Sequence, residues 1–159
     1  MENTIAFTKV ALPFGWLGNM APYPIMYNGK EWKTTEALFQ ALRFENEEVR
    51  ELIRAEKSPM GAKMRTKALA KIHTRAIEPM SEKDVELMEM CLRLKLAQHR
   101  EVARKLRCTR DQIIIEDCTS RGKRGTNLFW GAVNENGAWI GENMVGKLWM
   151  KLRSEMITS

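Results

Sequence analysis

The chain has 159 residues, of which 44% are hydrophobic and 29% charged, and its formal net charge is +6 at pH 7. This length supports one hydrophobic core and is short for two ordinary domains, so we predict a single domain over residues 1–159. No apolar run approaches the roughly 20 residues that cross a bilayer, and residues 1–4 lack the basic start of a signal peptide. We therefore expect a cytoplasmic protein with no membrane association.

The cysteines and the net charge indicate which kinds of functional site this chain could contain. Cys91, Cys108 and Cys118 are odd in number and form no C-x-x-C, which argues against a disulfide framework and against a thiolate metal site. We predict reduced, packed thiols. The sequence pI of about 9.4 has two interpretations. The basic residues contact the phosphates of nucleotides or nucleic acid, or they only keep a small protein soluble.

The first third of the chain predicts a loop, a hairpin and a helix. Residues 13–19 mix aromatics with glycines, which indicates an ordered loop. Residues 25–27 and 31–33 flank Asn28-Gly29, the dipeptide that suits a two-residue type I′ turn between antiparallel strands. Thr34 or Thr35 then caps a helix that we expect to end near Phe44.

Three further helices are predicted in the middle of the chain. One covers residues 47–55, and the next starts at Pro59 and runs to about Ala70. Ser81 and Asp84 resemble a capping box. The apolar residues that follow at helical spacing predict one long helix ending near Leu106; they are Val85, Met88, Leu92 and Leu96.

The last third predicts short strands and a terminal helix. Residues 113–115 are all isoleucine, which favours a buried strand, and residues 128–130 are a second strand candidate. Residues 143–156 predict a helix with an apolar face formed by Val145, Leu148, Trp149 and Leu152. The predicted fold is thus a helix-dominated α+β domain with a small number of short strands.

Several enzyme classes are excluded by missing motifs. His73 and His99 have no partner at zinc-protease spacing, and we expect structural or surface roles for both. No P-loop, G-x-G-x-x-G or G-x-S-x-G sequence occurs, which removes P-loop ATPases, Rossmann dehydrogenases and nucleophile-elbow hydrolases. Carboxylates and aromatic residues remain as the candidates for chemistry.

Two carboxylates stand at positions that support either a structural or a catalytic role. Glu36 lies in the first turn of a predicted helix, where a negative charge stabilises almost any helix. Glu116 ends the isoleucine strand, where a scaffold presents polar groups to a cleft and where solvated acids are also common. The five tryptophans either stack on a base or fill the core. Residue type and spacing leave both interpretations open.

A series of motifs resembles the NADAR (YbiA-like) family. Residues 14–20 resemble its F-x-x-L-S-N-F opening, and residues 28–41 resemble D-G-x-x-(Y/F)-x-(S/T)-x-E-x-x-(F/Y)-Q-A. Residues 58–63 resemble S-P-x-x-A-K, and Met88 with residues 94–98 resembles M-x-x-(A/L)-x-x-x-K-F-x-Q. Glu116 matches the acid of L-x-E. Near the end of the chain, residues 129–131 resemble F-W-G. Residues 141–150 and Arg153 resemble G-x-N-x-L-G-x-x-L-M-x-x-R.

The resemblance implies an N-glycosidase that needs no cofactor or metal. Some members of the family hydrolyse phosphorylated aminopyrimidine ribosides of riboflavin biosynthesis, and others remove ADP-ribose from guanine bases. The implied partner is accordingly a phosphorylated riboside or a substrate that contains ADP-ribose, with nucleic acid as a further candidate. A protein that binds ADP-ribose or nucleotides without cleaving them is the alternative.

The matched positions give candidate site residues. The resemblance implies Glu36 as the first choice for catalysis, and Glu116 and Asn127 as the further catalytic candidates. Two departures bear on this assignment: Asn127 stands where the family commonly has Asp, and no tryptophan lies between Arg65 and Met88, where many relatives have a D-W pair. The implied substrate-binding residues are Trp16, Asn19, Lys63, Lys95, Trp130, Gly131 and Asn143.

Overall fold

The computed structural model describes residues 3–158, without the side chains of 157 and 158. Within this range it contains six short strands and seven α-helices, as the sequence predicts for a helix-dominated α+β fold. The strands are β1 (Thr4–Phe7), β2 (Ile25–Tyr27), β3 (Lys30–Trp32), β4 (Ile113–Glu116), β5 (Val133–Glu135) and β6 (Ala138–Ile140). The helices are α1 (Thr35–Leu42), α2 (Glu47–Arg54), α3 (Pro59–Leu69), α4 (Glu82–Gln98), α5 (Arg100–Cys108), α6 (Gly125–Trp130) and α7 (Met144–Thr158).

The contacts within the chain divide it into two compact units. The central unit comprises residues 19–99, and the terminal unit comprises residues 3–18 together with 100–158. The single domain expected from the chain length stays a prediction. Among residues 3–158, no helix combines the length and the apolar character that crossing a bilayer requires.

The terminal unit is built on a parallel pair of strands. β1 pairs with β4 from Thr4 opposite Ile113 to Phe7 opposite Glu116. Helix α7 packs against β4, and Gly146 permits this approach because a Cβ there would lie 2.1 Å from the carbonyl oxygen of Ile114. The apolar face predicted for α7 is confirmed: Val145, Leu148, Trp149 and Leu152 are all buried.

The second strand predicted in this unit, at residues 128–130, is wrong. These residues form the second half of α6. Their aromatic and leucine side chains favour a strand in isolation, but tertiary context overrides such a preference. The backbone partner of the β4 end is Ala132 instead, which forms a parallel bridge with Asp117.

The central unit starts with the predicted hairpin. β2 and β3 pair antiparallel, and the turn residues Asn28 and Gly29 have φ values of 49° and 76°, which confirms a turn that needs positive φ at both positions. The helix starts are confirmed as well. The side chains of Thr34, Ser58 and Ser81 each accept a hydrogen bond from a first-turn N–H of α1, α3 and α4, respectively.

The prediction of one helix from Ser81 to Leu106 is wrong. Helix α4 ends at Gln98, and His99 has an extended backbone (φ −128°, ψ 102°) before α5 begins at Arg100. The physical reason lies in the contacts of His99. Its Nε2 lies 2.6 Å from the carbonyl oxygen of Pro24, and its ring meets the ring of Tyr23 edge-on at 5.1 Å. This tertiary contact outweighs the continuous helical periodicity.

The three cysteines are free thiols, and two of them match the expectation of packed side chains. Cys91 and Cys118 are buried, whereas Cys108 is exposed, so the prediction of a packed thiol is wrong at that position. Burial raises the pKa of the Cys91 thiol, and the nearby charge of Glu36 adds to this effect.

Candidate functional site

Glu36 occupies the second position of α1, two residues after the Thr34 cap. Its backbone N–H donates to the carbonyl oxygen of Asn19 at 2.9 Å, which ties the predicted substrate residue to the start of the helix. The side chain is not solvated as a first-turn glutamate usually is: Glu36 is only 8% exposed. Burying a carboxylate is unfavourable unless polar partners surround it. Glu36 is therefore a buried carboxylate, which its first-turn position alone does not predict.

The polar surroundings of Glu36 continue along α1. The Nε2 of Gln40 lies 3.5 Å from the Oε2 of Glu36, and the Oε1 of Gln40 accepts from the Nη1 of Arg43 at 3.3 Å. Arg43 in turn donates to both carboxylate oxygens of Asp84, at 2.8 and 2.6 Å. All four side chains belong to buried residues. Gln40, Arg43 and Asp84 were not predicted as site residues, although Gln40 lies in the NADAR-like motif of residues 28–41 and Asp84 in the predicted capping box.

Lys95 lies on the buried face of α4. It has no exposed surface, and its ammonium is 5.0 Å from the centre of the Tyr23 ring. Burial lowers the pKa of Lys95 to about 7, because an ammonium group is poorly solvated in the protein interior. Lys63, the other predicted lysine, is half-buried on α3.

Two buried acceptors flank the start of α1. The Nδ2 of Asn19 donates to the sulfur of Met88 at 3.3 Å, but its Oδ1 is buried and has no hydrogen-bond partner in the described part of the chain. The Oγ1 of Thr35 is likewise buried and has no hydrogen-bond partner in this part of the chain. A buried polar atom without a partner costs about 1–3 kcal/mol. These atoms are thus suited to a ligand. The sequence indicated Thr35 only as an alternative helix cap and not as a site residue.

In the terminal unit, the structure brings Glu116, Gly131 and Asn143 together. The backbone N–H of Glu116 donates to the Oδ1 of Asn143 at 2.9 Å, and the N–H of Asn143 donates to the carbonyl oxygen of Gly131 at 3.0 Å. Gly131 has no room for a side chain, since a Cβ there would lie 2.6 Å from the carbonyl oxygen of Glu116. The Glu116 carboxylate is half-buried, 3.8 Å from the Nη2 of Arg121.

Asn127, the residue that replaces the usual Asp, supports a loop. Its Nδ2 donates to the carbonyl oxygens of Arg121 and Gly122, at 3.2 and 2.9 Å. A carboxylate has no hydrogen to donate in either contact. The amide therefore has a structural role in this protein.

The two candidate stacking residues differ in exposure. Trp16, in the 3₁₀ turn Gly15–Leu17, is 7% exposed. Trp130 is the last residue of α6 and is half-buried, with the Phe129 ring edge-on at 4.9 Å. Trp130 consequently presents more ring surface than Trp16.

A cleft and the grouping of metal-ligating side chains bear on which ligands the described residues could hold. A cleft of about 390 Å³ on the central unit is lined by residues 70–75 with Glu78 and Pro79, and none of the predicted site residues lines it. Within residues 3–158, no three His, Cys, Asp or Glu side chains are grouped so that they could hold a metal ion.

Comparisons with known proteins agree with the motifs. The chain matches the NADAR domain over residues 6–157. It is 32% identical over 157 residues to the N-glycosidase YbiA of Escherichia coli, covering 98% of this chain and 91% of the relative. A riboflavin biosynthesis protein of Vibrio vulnificus is 26% identical over 162 residues, covering 98% of this chain and 39% of that longer protein.

The fold agrees with a solved structure as well. The NMR structure of E. coli YbiA superposes with a TM-score of 0.76 at 28% identity, over 99% of this chain and 88% of that one. Because the NADAR match extends over nearly the whole sequence and the solved relative has the same fold, this chain is a member of the NADAR domain family.

Proposed function

We propose that the protein hydrolyses the bond between the anomeric carbon of ribose and a nitrogen of the base in a phosphorylated riboside, with Glu36 as its catalytic carboxylate. The E. coli relative is named an N-glycosidase, and by this homology the protein is a hydrolase acting on N-glycosyl bonds. The name of the Vibrio relative supports a riboside of the riboflavin type as the substrate.

The buried carboxylate of Glu36 is the observation that carries the proposal. As the C–N bond lengthens, positive charge develops on the ribose, and a carboxylate beside the anomeric carbon stabilises it. A carboxylate that holds a water molecule also removes its proton as the water attacks. Glu36, at 8% exposure, acts at short range and with little screening by solvent. The scheme requires no metal or organic cofactor.

The other site residues receive roles that match their chemistry. Lys63 and Lys95 bind the phosphate of the substrate, because a phosphate removed from water requires cationic donors. The buried Oδ1 of Asn19 accepts from the ligand. Trp130, with the more accessible ring, stacks on the base, and Trp16 is the second aromatic candidate. Asn143 and Gly131 act through the backbone contacts that hold Glu116.

The decisive experiment compares three carboxylate variants. The protein is incubated with a phosphorylated aminopyrimidine riboside and, separately, with ADP-ribosylated guanosine, and release of ribose phosphate or ADP-ribose is followed. We expect Glu36→Gln to lower turnover by roughly 10²-fold or more while the substrate still binds. Glu48→Gln is the matched control, since Glu48 holds the same second position in α2 but is exposed. Full rate in Glu36→Gln, with loss in Glu116→Gln, shifts the role to Glu116.

A second substrate class is favoured by the surface of α5. Arg100, Arg104 and Arg107 follow one another at helical spacing and are all exposed, so they form one basic face. Such a face favours ADP-ribosylated nucleic acid over a free nucleotide. If nucleic acid is the substrate, the ratio kcat/KM falls steeply with salt on an ADP-ribosylated oligonucleotide and changes little on ADP-ribosylated guanosine.

The replacement of the family Asp by Asn127 favours a third candidate, a binder that does not cleave. It predicts that the parent binds ADP-ribose but releases no product from either substrate. In that case, gain of hydrolysis in Asn127→Asp identifies the missing acid. Product release by the parent protein removes this candidate.

A further inference from the structure

A chain of hydrogen bonds between buried side chains leads from α4 to Glu36. It starts at Asp84, which has no exposed surface and whose Oδ2 also accepts from the backbone N–H of Met80 at 2.7 Å. Both carboxylate oxygens of Asp84 are held by Arg43, and a bidentate pair of this kind fixes the plane of the guanidinium. Arg43 is thereby oriented independently of any ligand.

The guanidinium decides which way the Gln40 amide points. Arginine only donates hydrogen bonds, so the atom of Gln40 that faces the Nη1 of Arg43 is the carbonyl oxygen Oε1. The Nε2 group of Gln40 then faces the Oε2 of Glu36, at 3.5 Å. This last contact is the longest of the series. Catalytic hydrogen bonds are often long without substrate and shorten when it binds.

The Arg43 backbone is held as tightly as its side chain. Its carbonyl oxygen accepts from the N–H groups of Ala76 and Ile77, at 2.8 and 3.2 Å. Its guanidinium lies 4.3 Å from the centre of the Phe39 ring, over its face. Arg43, which orients Gln40, is therefore held by contacts of both its backbone and its side chain.

We propose that Gln40 and Arg43 are positioning residues, which hold the Glu36 carboxylate in the orientation that the reaction needs. The proposal rests on the proposed function of Glu36. It differs from a purely structural explanation in one respect: loss of Gln40 lowers turnover through Glu36 and through no other group.

The first test is Gln40→Met, which keeps the side-chain length and removes both hydrogen bonds of the amide. We expect kcat to fall roughly 10-fold or more on the substrate that the parent cleaves, because small displacements of a catalytic group are expensive, while KM changes less than about threefold. Gln98→Met is the matched control. The Gln98 amide also makes two hydrogen bonds in the central unit, with the backbone of Met26, and its loss should leave kcat unchanged.

A double-mutant cycle separates positioning from other effects. In Glu36→Gln, the further change Gln40→Met should lower kcat by less than about twofold, because the group that Gln40 orients is already gone. If Glu36→Gln lowers kcat and the two losses multiply in the double variant, the positioning proposal is wrong and the proposed function stands. If Glu36→Gln retains full rate, both are wrong.

A readout that needs no turnover comes from Arg43→Lys. Lysine keeps a positive charge beside Asp84 and loses the planar fork that reaches Gln40. The side-chain N–H protons of Gln40, identified by their absence in Gln40→Met, should exchange with solvent at least about tenfold faster in Arg43→Lys. Equal exchange rates in the two proteins would show that Arg43 does not orient Gln40. Thermal unfolding of each variant confirms that the fold is retained.

Discussion

The side chain of Asn143 pairs with β4 as a neighbouring strand does. Its Oδ1 accepts from the N–H of Glu116 at 2.9 Å, and its Nδ2 donates to the carbonyl oxygen of Ile114 at 2.8 Å. Only an amide side chain offers a donor and an acceptor in this arrangement. Asn143 also has a φ of 52°, a conformation that asparagine tolerates better than most residues. Two properties of one residue thus fix the backbone of Glu116.

Replacing Asn143 separates these two properties. Asn143→Gly removes the amide and suits the positive φ, and we expect a loss of about 1–3 kcal/mol in the free energy of unfolding, because the N–H of Glu116 loses its partner. Asn143→Ala should lose about 1 kcal/mol more, since alanine is strained at this φ. Urea denaturation of both variants gives the two values. Equal stability of the parent and Asn143→Gly would contradict the role of the amide.

Asn127→Asp should loosen the loop that Asn127 supports. The new carboxylate faces the carbonyl oxygens of Arg121 and Gly122 without a hydrogen to donate, so both contacts are lost. We expect faster amide hydrogen exchange in residues 119–124 and a stability loss of about 1 kcal/mol. Asn136→Asp, which adds the same charge in an exposed turn, is the control. Unchanged exchange in this loop would show that the amide contacts are not needed.

Removing the two predicted phosphate ligands should weaken binding of a phosphorylated ligand. Lys63→Met and Lys95→Met keep the length of each side chain and remove its charge, and we expect the Kd for ADP-ribose at low salt to rise roughly tenfold or more in the double variant. Lys67→Met, an exposed neighbour on α3, is the control. Unchanged affinity for both ADP-ribose and the phosphorylated riboside would remove both lysines from the site.

The sequence predicted elements whose signals are local. The helix starts at Thr34, Ser58 and Ser81 were predictable because each cap depends on a residue only three positions away. Asn28-Gly29 predicted its hairpin because the turn depends only on these two adjacent residues. An equal signal, which was not used for a prediction, lies at Asn136-Gly137; this dipeptide joins β5 to β6 with φ values of 54° and 87°. That hairpin was predictable.

Elements that depend on distant contacts were not predictable in this way. The break at His99 depends on Pro24 and Tyr23, about 75 positions earlier. The pair formed by Arg43, the residue that caps the C-terminal end of α1, and Asp84 in α4 spans 41 positions, and no local pattern at either residue specifies the other. At the site, the motifs selected Glu36 and Lys95, but only the fold shows that both are buried and that Asn127 supports a loop.

The buried ammonium of Lys95 leads to a prediction on the pH dependence of stability. Burial lowers the pKa of Lys95 to about 7 in the folded protein, from an ordinary value of 10.5 in the unfolded chain. Below pH 7 both states hold the proton, and the unfavourable burial of the charge is fully present. Between pH 7 and 10.5 the unfolded state binds more protons than the folded state, so the free energy of unfolding rises with pH.

Lys95→Met removes this dependence. We expect the variant to unfold at higher urea concentration than the parent at pH 6, with an advantage on the order of a few kcal/mol that shrinks as the pH rises from 7 to 10. Lys67→Met, which removes an exposed charge, should differ from the parent by a small amount that does not change with pH. A difference between the parent and Lys95→Met that stays constant from pH 6 to 10 would mean that Lys95 keeps its proton when buried. In that case Lys95 would already carry its positive charge at pH 8. Binding of a phosphorylated ligand at this pH would then cause no proton uptake at Lys95.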